Sequence, residues 1–404
     1  MKTESAARRT VQVGMDRGLT FLMALACGAV AANIYYAQPL VALIGPDVGL
    51  SASASSLVVT LTQIGYGVGL VFLVPLGDIF ENRRLITVTL VACTAALLSA
   101  SVASNAALFL GTSLVIGLSS VVVQMLVPFA AHLAPEESRG QVVGNVMSGL
   151  LLGILLARPV ASMTTDLLGW RAIFAISAGL MLVLALTLRS VLPERKPTTS
   201  VRYPALLASM GKLLVSTPIL RRRAFYHAML FGAFSLFWTA VPLILASPAC
   251  GLSQGGIALF SLAAVLGAFV APVAGRIADR GLTKPATGLA ILAVVLCFLL
   301  VFTSGGHMVA ALFVAALLLD VGISCNLVLG QRAIFSLGAE IRSRLNGLYM
   351  AIFFVGGAVG SAVAGSVYES YGWQGIAWCG IAFPLVAGLY YLTELVPRRT
   401  VPAV

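Results

Sequence analysis

Charge is what this sequence has least of. Only 10% of its 404 residues are Asp, Glu, Lys or Arg, against about 25% in a soluble globular chain. That scarcity excludes a water-solvated fold. With 59% hydrophobic residues and a mean hydropathy of +1.01, the chain reads as solvated by lipid and is best counted in spans of roughly 20 residues. Metal-ligating side chains are also few. The three histidines have no ligand spacing, and Cys27, Cys93, Cys250, Cys297, Cys325 and Cys379 form no CxxC or Cys/His pattern. Neither a metal centre nor a disulfide framework is indicated, and no cofactor is expected. There is no nucleophile–base constellation, so the chain is not read as an enzyme. The run Gly65-Tyr-Gly67-Val-Gly69 lacks the preceding strand and the following lysine of a phosphate loop.

Long apolar runs are what the chain has instead. They predict twelve helices, near 19–43, 54–77, 85–103, 106–131, 141–164, 170–190, 223–246, 254–276, 285–304, 307–331, 344–367 and 373–395. An even number puts both termini on one side. With that topology 23 of the 25 Lys and Arg residues fall on that same side, which the positive-inside rule makes cytoplasmic. The two exceptions are Arg171, at an outer helix start, and Arg158. The net charge of +11 is therefore a topology signal, and no nucleic-acid partner is expected. Residues 1–18 are polar and the first apolar run is long enough to span, so no cleaved leader is expected.

The longest polar interval, 193–222, divides the chain into six spans and six. Domain limits follow: a cytoplasmic N-terminus at 1–18, one bundle at 19–192, a linker at 193–222, a second bundle at 223–395 and a tail at 396–404. The halves resemble each other. At one constant offset Arg139 matches Arg342, Gly144 matches Gly347, Gly153 matches Gly356, and Gly169-Trp170 matches Gly372-Trp373. Asp78 and Asp279 fall in equivalent loops. Two six-helix halves in parallel orientation are a transporter architecture with its site between them. Gly149-xxx-Gly153 and Gly356-xxx-Gly360 are read mainly as close helix contacts.

The loop Pro75-Leu-Gly-Asp78-Ile-Phe-Glu-Asn-Arg83-Arg84 and its partner Gly275-Arg-Ile-Ala-Asp279-Arg280-Gly281 resemble the signature loop of the major facilitator superfamily, approximately G-x-L-A-D-R-x-G-R-K/R. The first copy departs from it, with Val74, Ile79 and Glu81 at the leading Gly, first Arg and second Gly. The resemblance covers the whole chain. It implies an all-α membrane protein of twelve helices in two pseudo-symmetric six-helix bundles. It also implies gating roles for Asp78, Arg83, Arg84, Asp279 and Arg280, the aspartate meeting basic residues of the facing bundle in one state of the cycle. At finer grain Asn33-Ile-Tyr-Tyr-Ala-Gln-Pro39 and the glycines of the fifth span resemble the drug:proton antiporters and their sugar- and nucleoside-efflux relatives. Arg158-Pro159 and Ser162-Met163 break that antiporter signature.

A charge in lipid costs at least about 2.5 kcal/mol on insertion scales and marks a functional candidate. Asp320 is the one acidic residue well inside a span, roughly 20 Å from its outer start, and is the candidate for proton coupling. Arg158 lies roughly 10 Å deep and cannot carry a proton, since guanidinium does not discharge. It either snorkels to headgroups, binds an anionic or carbonyl-bearing substrate, or pairs across the bundles with Asp320. Asn33, Tyr36, Gln38, Gln124, Trp238 and Asn326 are the polar and aromatic candidates for the cavity beside Arg158. They lie in the first, fourth, seventh and tenth spans, which line the cavity in the resembled family. Tyr35, Gln331, Gln63 and Tyr66 are further candidates. The expected activity is proton-coupled efflux of a small organic molecule by alternating access in the cytoplasmic membrane, by a monomer. A uniporter or symporter for a sugar, nucleoside or organic acid is the competing transport reading, and a non-transporting receptor or scaffold the other.

Overall fold

Backbone groups in lipid have no water to bond, so a chain this apolar must satisfy them inside helices. The computed structural model describes residues 17–197, 202–262, 271–305, 308–338 and 341–395. The terminal segments 1–16 and 396–404, the middle of the expected eighth span and the Asp279 side chain lie outside the described residues. In order, the helices are α1 (Arg17–Ala32), α2 (Val41–Asp47), α3 (Leu57–Phe72), α4 (Asn82–Ser101), α5 (Ala106–Ser120) and α6 (Val122–Leu133). Then come α7 (Arg139–Leu168), α8 (Trp170–Val191), α9 (Tyr203–Ser216), α10 (Pro218–Leu245), α11 (Gln254–Ser261), α12 (Ala271–Asp279), α13 (Thr283–Thr303), α14 (Val309–Phe335) and α15 (Arg342–Leu395).

Among the described residues nine helical stretches are long and apolar enough to cross a membrane. The difference from twelve has physical causes. The first expected span is split into α1 and α2. The eighth is described only at its ends, α11 and α12. The eleventh and twelfth run together as α15, whose 54 residues would reach roughly 80 Å as one rod, far more than a bilayer's thickness. Gly372, at φ +59°, breaks it. Its repeat partner Gly169, at φ +82°, makes the same turn between α7 and α8, a conformation that favours glycine.

Polar residues start the helices. Glu81 caps α4, its carboxylate accepting from the backbone N–H groups of Arg83 (2.8 Å) and Arg84 (2.7 Å). It also accepts from the Arg195 N–H at 3.2 Å, so this departure from the family loop ties α4 to the chain leaving α8. Asn105 caps α5 and Ser253 caps α11 in the same way. The polar interval after α8 is not plain linker. It contains α9, and α10 begins inside it at Pro218. Arg223, the first residue of the expected seventh span, is a buried residue of α10. It pairs with Glu394 at 2.8 Å and donates to Thr287 at 2.9 Å, joining α10, α13 and α15.

Each half is built on the same close contact. α7 crosses α1 where a Cβ on Gly153 would stand 2.1 Å from the carbonyl oxygen of Gly28. α15 crosses α10 where a Cβ on Gly356 would stand 2.0 Å from that of Ala228. The halves then meet along α3 and the first part of α15. At the end away from the arginine-rich loops they are shut together. There Thr60 and Ser361 share a hydrogen bond of 3.0 Å, a Cβ on Gly365 would stand 2.3 Å from the Ser53 carbonyl oxygen, and α11 packs on α7. At the other, basic end a cleft enclosing about 580 Å³, open solvent included, separates them.

Replacing Gly153 or Gly356 with Ala is expected to lower stability by about 1–3 kcal/mol, the cost of overpacking. Gly179→Ala, in a helix with open space around it, should cost nothing. Thermal unfolding of purified protein measures the contrast, and equal melting temperatures in all three would contradict it.

Candidate functional site

Pro39 has no N–H to give a helix, and the chain unwinds just before it. α1 stops at Ala32, residues 33–37 form turns, and a short 3-10 helix follows at Gln38–Leu40. Irregular backbone at membrane depth is tolerated only where protein covers it, and every residue from Asn33 to Leu40 is buried. This segment lies against α7 and α10. It brings Tyr35 and Gln38 to Arg158.

Arg158 is only 2% exposed, so it does not snorkel. Its Nε–H donates to Gln38 Oε1 at 2.9 Å. Three rings surround its guanidinium carbon: Trp238 at 4.4 Å, Phe234 at 5.1 Å and Tyr35 at 5.2 Å to their centroids. Tyr35 belongs to the first half, Phe234 and Trp238 to α10 of the second. The arginine therefore reaches across the interface. A desolvated cation over an aromatic face gains about 2 kcal/mol, enough to offset much of the insertion cost of the charge.

Asp320, on α14 of the second half, is 8% exposed. It lies within electrostatic range of both Arg158 and Tyr35, yet it does not join Arg158 in an ion pair. The Trp238 indole N–H lies beside it without completing a hydrogen bond. Several buried polar atoms here have no partner: Arg158 Nη2, Gln38 Nε2, Trp238 Nε1, Asp320 Oδ2 and, one turn from Arg158, Ser162 Oγ. Unsatisfied buried groups are costly and rare. Three donors, one carboxylate oxygen and one hydroxyl are thus left open around Arg158 and Asp320, a buried polar cluster able to take a further partner.

The other candidates are distributed around this centre. Asn33 points into the first bundle, where its Oδ1 accepts from Ser177 Oγ at 2.5 Å. Tyr36 lines a groove between α1 and α7 beside Ser177, and it is the adjacent Tyr35 that faces Arg158. Asn326 Nδ2 meets His227 Nδ1 at 3.0 Å in the second bundle, and Gln331 donates to Asn346. Gln63 Nε2 donates to Ser235 at 2.8 Å, bridging the halves. Gln124 donates to Tyr66 at 3.2 Å and lines the basic-end cleft. Asp78 lines that cleft with Arg195 and Arg344, and Arg344 belongs to the opposite half. Arg83 pairs with Glu194, while the Arg84 and Arg280 side chains are exposed. Phe234, Arg344 and Glu394 were not singled out by the sequence. Phe234 is one of 19 phenylalanines, and only its position one turn before Trp238 on α10 could have marked it. Arg171, the other basic exception, pairs with Asp47 at the far end, where Trp170 also donates to Asp47 at 3.0 Å. The Arg171 guanidinium, and then the Trp170 N–H, hold the Asp47 carboxyl below the usual range.

Residues 21–329 match the family model described as Major Facilitator Superfamily. The chain is 43% identical over 373 residues to the uncharacterized transporter YgaY of Escherichia coli O157:H7, covering 92% of this chain and 94% of YgaY. It is 35% identical to the probable transporter SCO4007 of Streptomyces coelicolor, over 94% and 87% of the two chains. Among solved structures it is similar to a D-xylose-proton symporter at a TM-score of 0.74 and 14% identity, covering 96% of this chain and 99% of that one. It is similar to the nucleoside transporter NupG at 0.73 and 15%, covering 93% and 100%. At such identities these two likenesses concern the fold.

The geometry sets an energetic test of the two charges. Arg158→Gln and Asp320→Asn should each destabilise the protein, and their double variant should lose less than the sum, by about 1 kcal/mol or more. A double-mutant cycle of thermal or denaturant unfolding reads the coupling, and additive losses would contradict it.

Proposed function

The chain belongs to the major facilitator superfamily, and from that premise we propose that this multi-pass membrane protein is a proton-coupled exporter of a small organic molecule. The observation that carries the proposal is the placement of Asp320 and Arg158 on opposite halves, both buried and within electrostatic range of each other without pairing. A carboxylate in such a place can hold a proton in one arrangement of the halves and release it in another. The guanidinium next to it keeps its charge throughout. Its field on Asp320 therefore changes only when the halves move.

The contacts between the halves supply the two ends of such a cycle. The far end is closed by Thr60 with Ser361 and by α11 on α7. The basic end holds the cleft with Asp78 facing Arg344. Closing that cleft would bring the Asp78 carboxylate towards Arg344 as a latch, in line with the gating role the family loop implies. Arg83 and Arg84 sit at the start of α4, with Arg83 tethered to Glu194, and act through the placement of that loop. The positive-inside rule supports a cytoplasmic setting for the basic end, and opening the cleft further would carry a substrate from the cell interior towards Arg158 and Asp320. The working unit is a monomer.

Purified protein in liposomes tests this. An imposed proton gradient should drive uptake from a panel of labelled small organic compounds into inside-out vesicles, and an uncoupler should abolish it. Asp320→Asn should lose gradient-driven accumulation. A transport rate unchanged by uncoupler and by Asp320→Asn would identify facilitated diffusion and sink the coupling.

A further inference from the structure

The central polar cluster carries one fixed positive group and one carboxylate, and the two make no ion pair. That limits what fits between them. An uncharged molecule would leave both charges desolvated and apart, the costliest arrangement. A simple organic cation would satisfy Asp320 but sit in the field of Arg158. A simple anion would satisfy Arg158 and face Asp320. A molecule with both charges compensates both.

The shape of the cage sharpens this. Rings of Trp238, Phe234 and Tyr35 surround the guanidinium at cation–π distance, so a ligand meets it edge-on. The Nε edge is already occupied by Gln38. The remaining edge, with Nη2 unpartnered, offers the planar fork that matches a carboxylate. Gln38 Nε2 and Ser162 Oγ, also unpartnered, can donate further bonds to the same oxygens. On the other side Asp320 Oδ2 is unpartnered, and Trp238 and Tyr35 stand near it. An open carboxylate oxygen suits an ammonium group, which can give it a charge-assisted hydrogen bond.

We propose that the polar cluster around Arg158 and Asp320 binds a small zwitterion of the amino-acid type, its carboxylate on the free edge of Arg158 and its ammonium on Asp320. The assignment rests on the transporter reading above and adds the substrate class. It also gives the exchange a chemistry. A proton on Asp320 and the ammonium of the substrate compete for one carboxylate. When the zwitterion enters from the open side, the Asp320 proton leaves to the water on that side. When it departs on the other side, a proton from there takes its place.

Binding to the full-length protein in detergent, read by titration calorimetry, tests the class. The probes are matched triads: alanine, ethylamine and propanoate; phenylalanine, phenethylamine and 3-phenylpropanoate; 4-aminobutyrate, propylamine and butyrate. Glucose and uridine serve as uncharged probes. At least one zwitterion should bind saturably, with its amine and its acid each roughly tenfold or more weaker, as expected for losing a charge-assisted contact. Arg158→Gln should bring that zwitterion down to its amine, and Asp320→Asn should bring it down to its acid. Should either variant fail to fold, the triads on the unaltered protein decide alone. An amine or acid binding as well as its zwitterion would overturn the proposal. So would saturable binding by an uncharged probe with none by a zwitterion, or no saturable binding at all. The coupling mechanism fails separately: a zwitterion that binds as described but crosses liposomes without regard to the proton gradient leaves the site standing and removes the antiport.

Discussion

A guanidinium that never discharges, buried between two bundles in lipid, is the constraint around which this molecule is arranged. Arg158 is compatible with folding only because three rings, one amide and a nearby carboxylate surround it. Those groups come from both halves. The compensation is therefore complete only in a particular arrangement of the halves, and any motion that separates α7 from α10 exposes the charge to something else. A substrate or a proton-bearing Asp320 is that something in the mechanism proposed. The electrostatics of one residue thereby become coupled to the position of a whole bundle.

The packing around it serves this coupling. Glycine contacts between α1 and α7, and between α10 and α15, bring backbones together tightly enough to make each bundle a rigid unit. Among the described residues the interface between bundles has one such approach, Gly365 against the Ser53 carbonyl, and otherwise differs. It is held by isolated polar contacts such as Thr60 with Ser361 and Gln63 with Ser235, and by the ring pair Tyr66 and Phe354 at 4.4 Å. Close-packed bundles joined largely by polar and ring contacts suit the two-body motion proposed above. α9 lies across both at the basic end: Tyr203 donates to the Phe72 carbonyl of the first half at 2.8 Å, and Ser209 accepts from Arg344 of the second at 3.0 Å. The segment between the bundles is thus a strut as well as a connection.

Much of the fold was legible in the sequence because lipid allows few solutions. Hydropathy located the long helices, and the repeat marked Gly153, Gly356, Gly169 and Gly372, each of which has a matching structural part in the two halves. Arg158 and Asp320 stood out for the same reason, as charges where charge is expensive. What the sequence could not resolve was direction. Residues 33–37 leave the helical path, so no period says whether Tyr35 or Tyr36 turns inward, or that Asn33 would spend its bonds within the first bundle on Ser177. Long-range partners were equally hidden. Glu394 lies 171 residues from Arg223, and nothing local announces the pair. Arg344 looked like one more cytoplasmic charge until the fold set it opposite Asp78.

The central claim is that protonation of Asp320 shifts the balance between two arrangements of the bundles. It is tested most directly by a distance measured across the closed end. Spin labels attached through Ala52→Cys and Ala249→Cys, both exposed positions on opposite halves, in a background without the native cysteines, report that distance by pulsed electron resonance. The account predicts a short and a long population whose ratio changes between acidic and alkaline buffer, and a ratio indifferent to pH once Asp320→Asn is added. A ratio that responds to pH equally with and without Asp320 would contradict it.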